Sequence, residues 1–274
     1  MGALWFSPLD DAAKDAIAVT SSAEDPQYLA ANAILEDPQR PAGLTTTTGW
    51  VKLQLGAPTE IVAAAFVYPN LDEDLAGVVI QGDSADDFSS PWEQAIPIGP
   101  PLQRVPFYTN WVKSQLVIFD TPQTFAWWRW YVPNANSLPI RLGRFLLFTT
   151  QRDVDLFLEG DMPEGYKVGN VRSVTEMEKA VVTPVAGPQR RLDLTWIGSD
   201  IGAGSAPVQD AAEFRQLIAD AGVDAIPWML APFFTADPWF GRIKPESLNI
   251  THMRGGAVRV TFTYEEESRG LPYP

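Results

Sequence analysis

The segment Thr45-Thr46-Thr47-Thr48-Gly49-Trp50-Val51-Lys52-Leu53-Gln54-Leu55-Gly56 passes from a β-branched run through a glycine into strict alternation. Val51, Leu53 and Leu55 fall on one face, and Trp50, Lys52 and Gln54 on the other. A period of two predicts a half-buried strand, since successive side chains point to opposite faces of a sheet. Gly56 is expected to end it and Ala57-Pro58-Thr59 to turn the chain. Glu60 to Tyr68 follows as a dense apolar run, suited to a strand buried on both sides. Gly77–Ser84, Trp111–Phe119, Phe125–Val132 and Ile140–Thr149 read as further strands, and short strands at turn-bounded spacing mean a sandwich or barrel. Before them, residues 1–44 look irregular, with a short helix expected over Asp10–Val19 that turns Ala12, Ile17 and Ala18 inward.

Composition narrows the class. The hydrophobic fraction of 46% and charged fraction of 20% are those of a folded protein. Pro (24) and Gly (20) are both abundant, which favours a turn-rich, mainly β chain. A net charge of −14 argues against nucleic acid, whose phosphates need a basic patch. With no Cys, disulfides, thiolate metal sites and cysteine nucleophiles are excluded. The longest apolar run, Ile61 to Tyr68, is too short to span a bilayer, so no membrane insertion is expected. Met1 to Ser7 lacks the basic and apolar regions of a signal peptide, so the expectation is a chain made in a cytoplasm.

Gln151 to Asn170 is acidic and contains glycines, and reads as a linker. The pattern then restarts with strands at Asn170–Glu178 and Arg190–Gly198. Val208 to Ala221 carries a 3.6-period stripe (Ala211, Phe214, Leu217, Ile218, Ala221) closed by Gly222, and predicts a helix. Further strands are expected from Ile226 to Glu265. The expected fold class is mainly β: an N-terminal β-sandwich jelly roll over 1–150, a linker over 151–169, and a C-terminal β-rich domain with one helix over 170–274.

The order of the N-terminal motifs resembles the discoidin-like branch of the galactose-binding jelly rolls. The carrying residues are Asn32-Ala33-Ile34-Leu35-Glu36-Asp37, Trp50 to Gly56, Val79-Ile80-Gln81-Gly82-Asp83-Ser84, Trp128-Arg129-Trp130-Tyr131-Val132 with Asn134, and Arg144 to Phe148. They cover roughly residues 25–150. The resemblance implies carbohydrate binding at loop tips such as Tyr68-Pro69-Asn70 and Pro106-Phe107-Tyr108, and a calcium turn at Glu36-Asp37. That turn departs from the family pattern, with Asp37-Pro38 where Asp-Gly is expected. The second half resembles the β-plus-helix domain of distal-tail and tail-tip proteins of long-tailed bacteriophages. Its carrying features are Leu192–Trp196, Ala221-Gly222, Ile226-Pro227-Trp228, Asp237 to Arg242 and Glu267-Ser268-Arg269-Gly270. That resemblance implies a virion protein made in the host cytoplasm, a homo-oligomeric ring (hexamer or trimer), other tail proteins as partners and an outward jelly roll that contacts a host surface glycan.

No catalytic constellation stands out, and no enzyme activity is expected. His252 is the only His, so a two-His zinc site cannot form within one chain. Gly202-Ala203-Gly204-Ser205 lacks the Lys of a phosphate loop. The adjacent acids (Asp10-Asp11, Asp72-Glu73-Asp74, Asp86-Asp87) read as solvated surface, and a hydrolase would need two carboxylates opposed across a cleft. The best candidate surface is Trp127-Trp128-Arg129-Trp130-Tyr131. Alternation gives one face to the core and leaves Trp127, Arg129 and Tyr131 on the other, where aromatics beside an Arg suit sugar stacking or a protein interface. The competing reading buries both faces, the second against the C-terminal half or a neighbouring subunit. Two functions follow: a phage tail-tip structural protein, or a monomeric carbohydrate-binding accessory module of a bacterial enzyme system.

Overall fold

The computed structural model describes residues 3–35, 40–72, 75–96, 114–154, 164–167, 170–174, 180–184, 189–199, 228–232, 238–252 and 257–266. The first half contributes β1 (Ala3–Phe6), β2 (Ala18–Ser21), β3 (Ala42–Gly43), β4 (Gly49–Val67), β5 (Val79–Asp83), β6 (Trp92–Ala95), β7 (Gln115–Val132), β8 (Arg141–Leu142) and β9 (Arg144–Phe148). The second contributes β10 (Arg152–Val154), β11 (Glu164–Lys167), β12 (Asn170–Val174), β13 (Ala180–Pro184), β14 (Gln189–Ser199), β15 (Trp228–Pro232), β16 (Trp239–Ile243), β17 (Asn249–His252) and β18 (Ala257–Glu266). The chain is mainly β. The helix expected over Val208–Ala221 lies outside the described residues.

Along β4 the alternation holds: Val51, Leu53 and Leu55 are buried, while Trp50, Lys52 and Gln54 are half-buried. Gly56 does not end the strand, which continues to Val67 and is 19 residues long in all. Its register against β7 shifts between Gln54 and Thr59 and again between Ile61 and Ala63. The expected turn is therefore an interruption within one strand. Pro58, which has no N–H to give to the ladder, fits at such a break. β7 is likewise one 18-residue strand where two were expected, with Pro122 in the corresponding stretch.

At one end the β4–β7 ribbon is flanked by β2, β5 and β6, in the order β2-β4-β7-β5-β6; at the other end β9 pairs with β4. Val51, Leu53, Trp128 and Trp130 from the first end meet Ala64, Phe66, Val117, Phe145 and Leu147 from the second in one core. The ribbon thus folds over itself as the two layers of a sandwich.

The layer made by β9, β4 and β7 is buried on its second face too. Ala63, Ala65, Val67, Leu146 and Phe148 pack with Phe6 of β1 and Phe240 of β16. β1, which sits in the irregular-looking N-terminal region, pairs with β15 and β10. It is a strand of the second sheet, ordered β10-β1-β15-β16-β18-β14-β11. β10 and β11 fall in the stretch expected as a linker, because the chain leaving β9 pairs at once with β1 and so satisfies its backbone groups. The helix expected over Asp10–Val19 is replaced by a 3₁₀ turn at Ala12–Asp15 and then β2, leaving Ile17 64% exposed. So short a helix gains little against its nucleation penalty.

A buried ion pair sits between the two cores. Arg144 Nη2 lies 3.2 Å from Asp11 Oδ2, and both side chains are excluded from solvent. Asp11 Oδ1 also accepts from the N–H groups of Ala13 and Leu147, each at 3.0 Å. The Arg144 guanidinium lies 6.0 Å from the Phe240 ring centroid. Burial pushes the Asp11 carboxyl up from its ordinary value, against the opposing pull of Arg144 and the two N–H donors. Removing one partner strands the other charge, so Asp11→Ala is expected to lower stability by about 3–5 kcal/mol in urea unfolding followed by circular dichroism. The double variant Asp11→Ala/Arg144→Met should recover most of that loss; no recovery would show that the pair itself is not the source.

Candidate functional site

Period-two alternation sorts the aromatic run of β7. Trp128 and Trp130 are fully buried in the sandwich core. The Trp128 indole N–H donates to the Phe125 carbonyl at 3.2 Å, and Trp130 stacks on Phe66 at 5.8 Å between centroids. Trp127, Arg129 and Tyr131 are half-buried on the opposite face. The second sheet docks on the β9 layer instead.

Strand register decides what surrounds them. Trp50 lies opposite Tyr131, Lys52 opposite Arg129, and Gln54 opposite Trp127. On the other flank Val79, Gln81 and Asp83 of β5 oppose Tyr131, Arg129 and Trp127, and Glu93 of β6 opposes Gln81. Two cation–aromatic groups result. Lys52 Nζ lies 4.9 Å from the Trp50 ring centroid and 5.2 Å from that of Trp127, and it pairs with Asp86. The Arg129 guanidinium lies 4.1 Å over the Phe88 ring and 5.0 Å from Tyr131. Arg129 Nε donates to Gln81 Oε1 at 2.7 Å, and Gln81 Nε2 donates to Glu93 Oε2 at 3.0 Å. Phe88 adopts φ +49° beneath the guanidinium, a backbone state uncommon for a residue with a side chain. Burial draws the Arg129 group down from its usual value, against Tyr131 and Asp83, and it remains a cation. The face is a sheet surface with large rings fixed by cations and interleaved with hydrogen-bonding groups.

The loop-tip residues behave differently. Tyr68 is withdrawn from the surface: it is 2% exposed, takes φ +50° and sets its ring edge-on to Phe240 at 6.5 Å. Asn70 is occupied by the fold, its Nδ2 donating to the Pro139 carbonyl at 2.8 Å and its Oδ1 accepting from the Arg141 N–H at 2.6 Å. Phe107, Tyr108, Glu36 and Asp37 lie outside the described residues. Among the described residues no group of three or more His, Asp or Glu is placed to hold a metal.

Trp50, Lys52, Gln81, Phe88 and Glu93 belong to this face and were not among the contact candidates. A signal for two of them was present, since alternation already set Trp50 and Lys52 opposite the core. What was missing was the register that brings Lys52 beside Trp127.

No protein-family description and no curated protein matches the chain. Among solved structures, about half of it is similar to several small domains. The family 32 CBM from C. perfringens NanJ in complex with galactose aligns at 10% identity and a TM-score of 0.39, over 52% of this chain and 98% of that one. A Streptococcus pneumoniae fucose binding module aligns at 11% and 0.37, over 51% and 96%. Reduced XRCC1 bound to the DNA pol beta catalytic domain aligns at 15% and 0.36, over 50% and 98%.

The two faces of β7 should respond differently to truncation. Trp128→Ala opens a cavity in the core and should lower stability by about 3–5 kcal/mol, whereas Trp127→Ala should stay within about 1 kcal/mol. Urea unfolding monitored by circular dichroism distinguishes these, and equal losses would place Trp127 in the core.

Proposed function

We propose that the chain is a non-catalytic carbohydrate-binding protein whose sandwich presents the face around Trp50, Lys52, Trp127, Arg129 and Tyr131 to a glycan. The observation that carries this reading is the half-buried row of rings and polar groups on the face opposite the one where, among the described residues, Phe6 and Phe240 of the second sheet pack. Aromatic faces stack on the apolar faces of sugar rings, and fixed amide, guanidinium and carboxylate groups meet their hydroxyls. The non-catalytic part is supported by four of the described carboxylates, each of which is engaged by the fold. Asp11 serves Arg144, Asp25 serves Arg141, Asp86 serves Lys52 and Asp72 holds Ser137.

The tail-tip structural role is the second reading, with a homo-oligomeric ring and other tail proteins as partners. Its support is the order of motifs in the sequence of the second half, from Leu192–Trp196 to Glu267-Ser268-Arg269-Gly270. A glycan array probed with the whole chain tests the first reading: at least one glycan class should be bound, and binding to none overturns it. Light scattering of the purified chain tests the second: a mass of three or six chains supports it, and a strict monomer, alone or with tail proteins, counts against it.

A further inference from the structure

We propose, resting on the glycan-binding reading above, that this face takes a neutral, extended polysaccharide chain laid across the β4–β7 ribbon, and neither a lone sugar nor an acidic glycan. Three observations lead there. The rings are spread out: Trp127 and Tyr131 are four residues apart on β7, roughly 13 Å along the strand, with Trp50 beside Tyr131. Lys52 Nζ serves both indoles, 4.9 Å from the Trp50 centroid and 5.2 Å from that of Trp127, and so links the two ends of the row. The spacing of Trp127 and Tyr131 along β7 is longer than one pyranose ring, and a sheet face offers rows of rings where a single sugar needs a walled pocket.

Charge selects against an anion. Both cations already have partners within the face, Lys52 on Asp86 and Arg129 through Gln81 toward Glu93. With Asp83 beside Trp127, the face holds more carboxylates than cations, on a chain of net charge −14. A polyanion meets repulsion there, whereas an uncharged chain does not. Between the rings, Gln54 and Glu93 supply donors and acceptors for hydroxyl groups, while the buried Gln81 is spent on holding Arg129.

The experiment is affinity electrophoresis of the whole chain through neutral soluble polysaccharides, acidic polysaccharides and no polymer, with galactose and fucose as competitors. The result expected is retention by a neutral polysaccharide that is insensitive to salt and at least about tenfold weaker in Trp50→Ala and in Trp127→Ala. The indole N–H resonances of Trp50 and Trp127 in the unaltered chain give the same readout without substitution: they should move on titration while those of Trp128 and Trp130 stay. Retention that either monosaccharide abolishes and neither substitution affects overturns this inference but leaves glycan binding standing. Salt-sensitive retention by an acidic polysaccharide does the same. Retention by no polymer, together with an array on which no glycan is bound, overturns the inference and the reading it rests on.

Discussion

Burial of one short β layer on both of its faces is the constraint from which the rest of the molecule follows. Ala63, Ala64, Ala65, Phe66 and Val67 are all withdrawn from solvent, Ala64 and Phe66 into the sandwich and the others against Phe6 and Phe240. Small residues on the outer face let another sheet approach closely. The partner strand β9 repeats the arrangement, with Phe145 and Leu147 inward and Leu146 and Phe148 outward. Such a layer cannot face water, because its outer side is as apolar as its inner one. Something must cover it, and the cover is built from the two distant parts of the chain that hold β1 and β16.

This has a functional consequence. Among the described residues the second sheet packs on the β9 side, and the half-buried aromatic and polar residues concentrate on the opposite face of the sandwich. The rings on that face are held by cations, Lys52 between two indoles and Arg129 over Phe88 and Tyr131. Fixing the rings in advance lowers the entropy lost on binding. The Asp11–Arg144 pair ties the two cores together where they meet, beside Phe240.

Local pattern was legible in the sequence where one strand alone decides the outcome. Alternation placed Val51, Leu53 and Leu55 inside, and the unbroken apolar run of Ile61 to Tyr68 announced a strand buried on both sides. What could not be read was anything that depends on which strand meets which. That Ala3–Phe6 joins a sheet built mostly after residue 150 depends on pairing across more than two hundred residues, which no local period encodes. Pro58 and Pro122 looked like turns because proline interrupts ladders; here the interruption is a register shift within long strands. Tyr68 looked like a loop-tip ring, yet a positive φ turns it under Phe240. Asn70 looked free, but loops that close a sandwich need their carbonyls and N–H groups satisfied, and its amide does that work. The site was half legible: alternation exposed Trp127, Arg129 and Tyr131, and only the register of β4 against β7 added Trp50 and Lys52.

The two sheets share the core around Phe240, and native-state hydrogen exchange tests this most directly. In the Phe240→Ala variant, amides of Ala63–Val67 and Arg144–Phe148, which lie in the other sheet, are expected to exchange faster along with those of β16. Faster exchange confined to β16 and its neighbours β15 and β18, with the β4 and β9 amides unchanged, would contradict it.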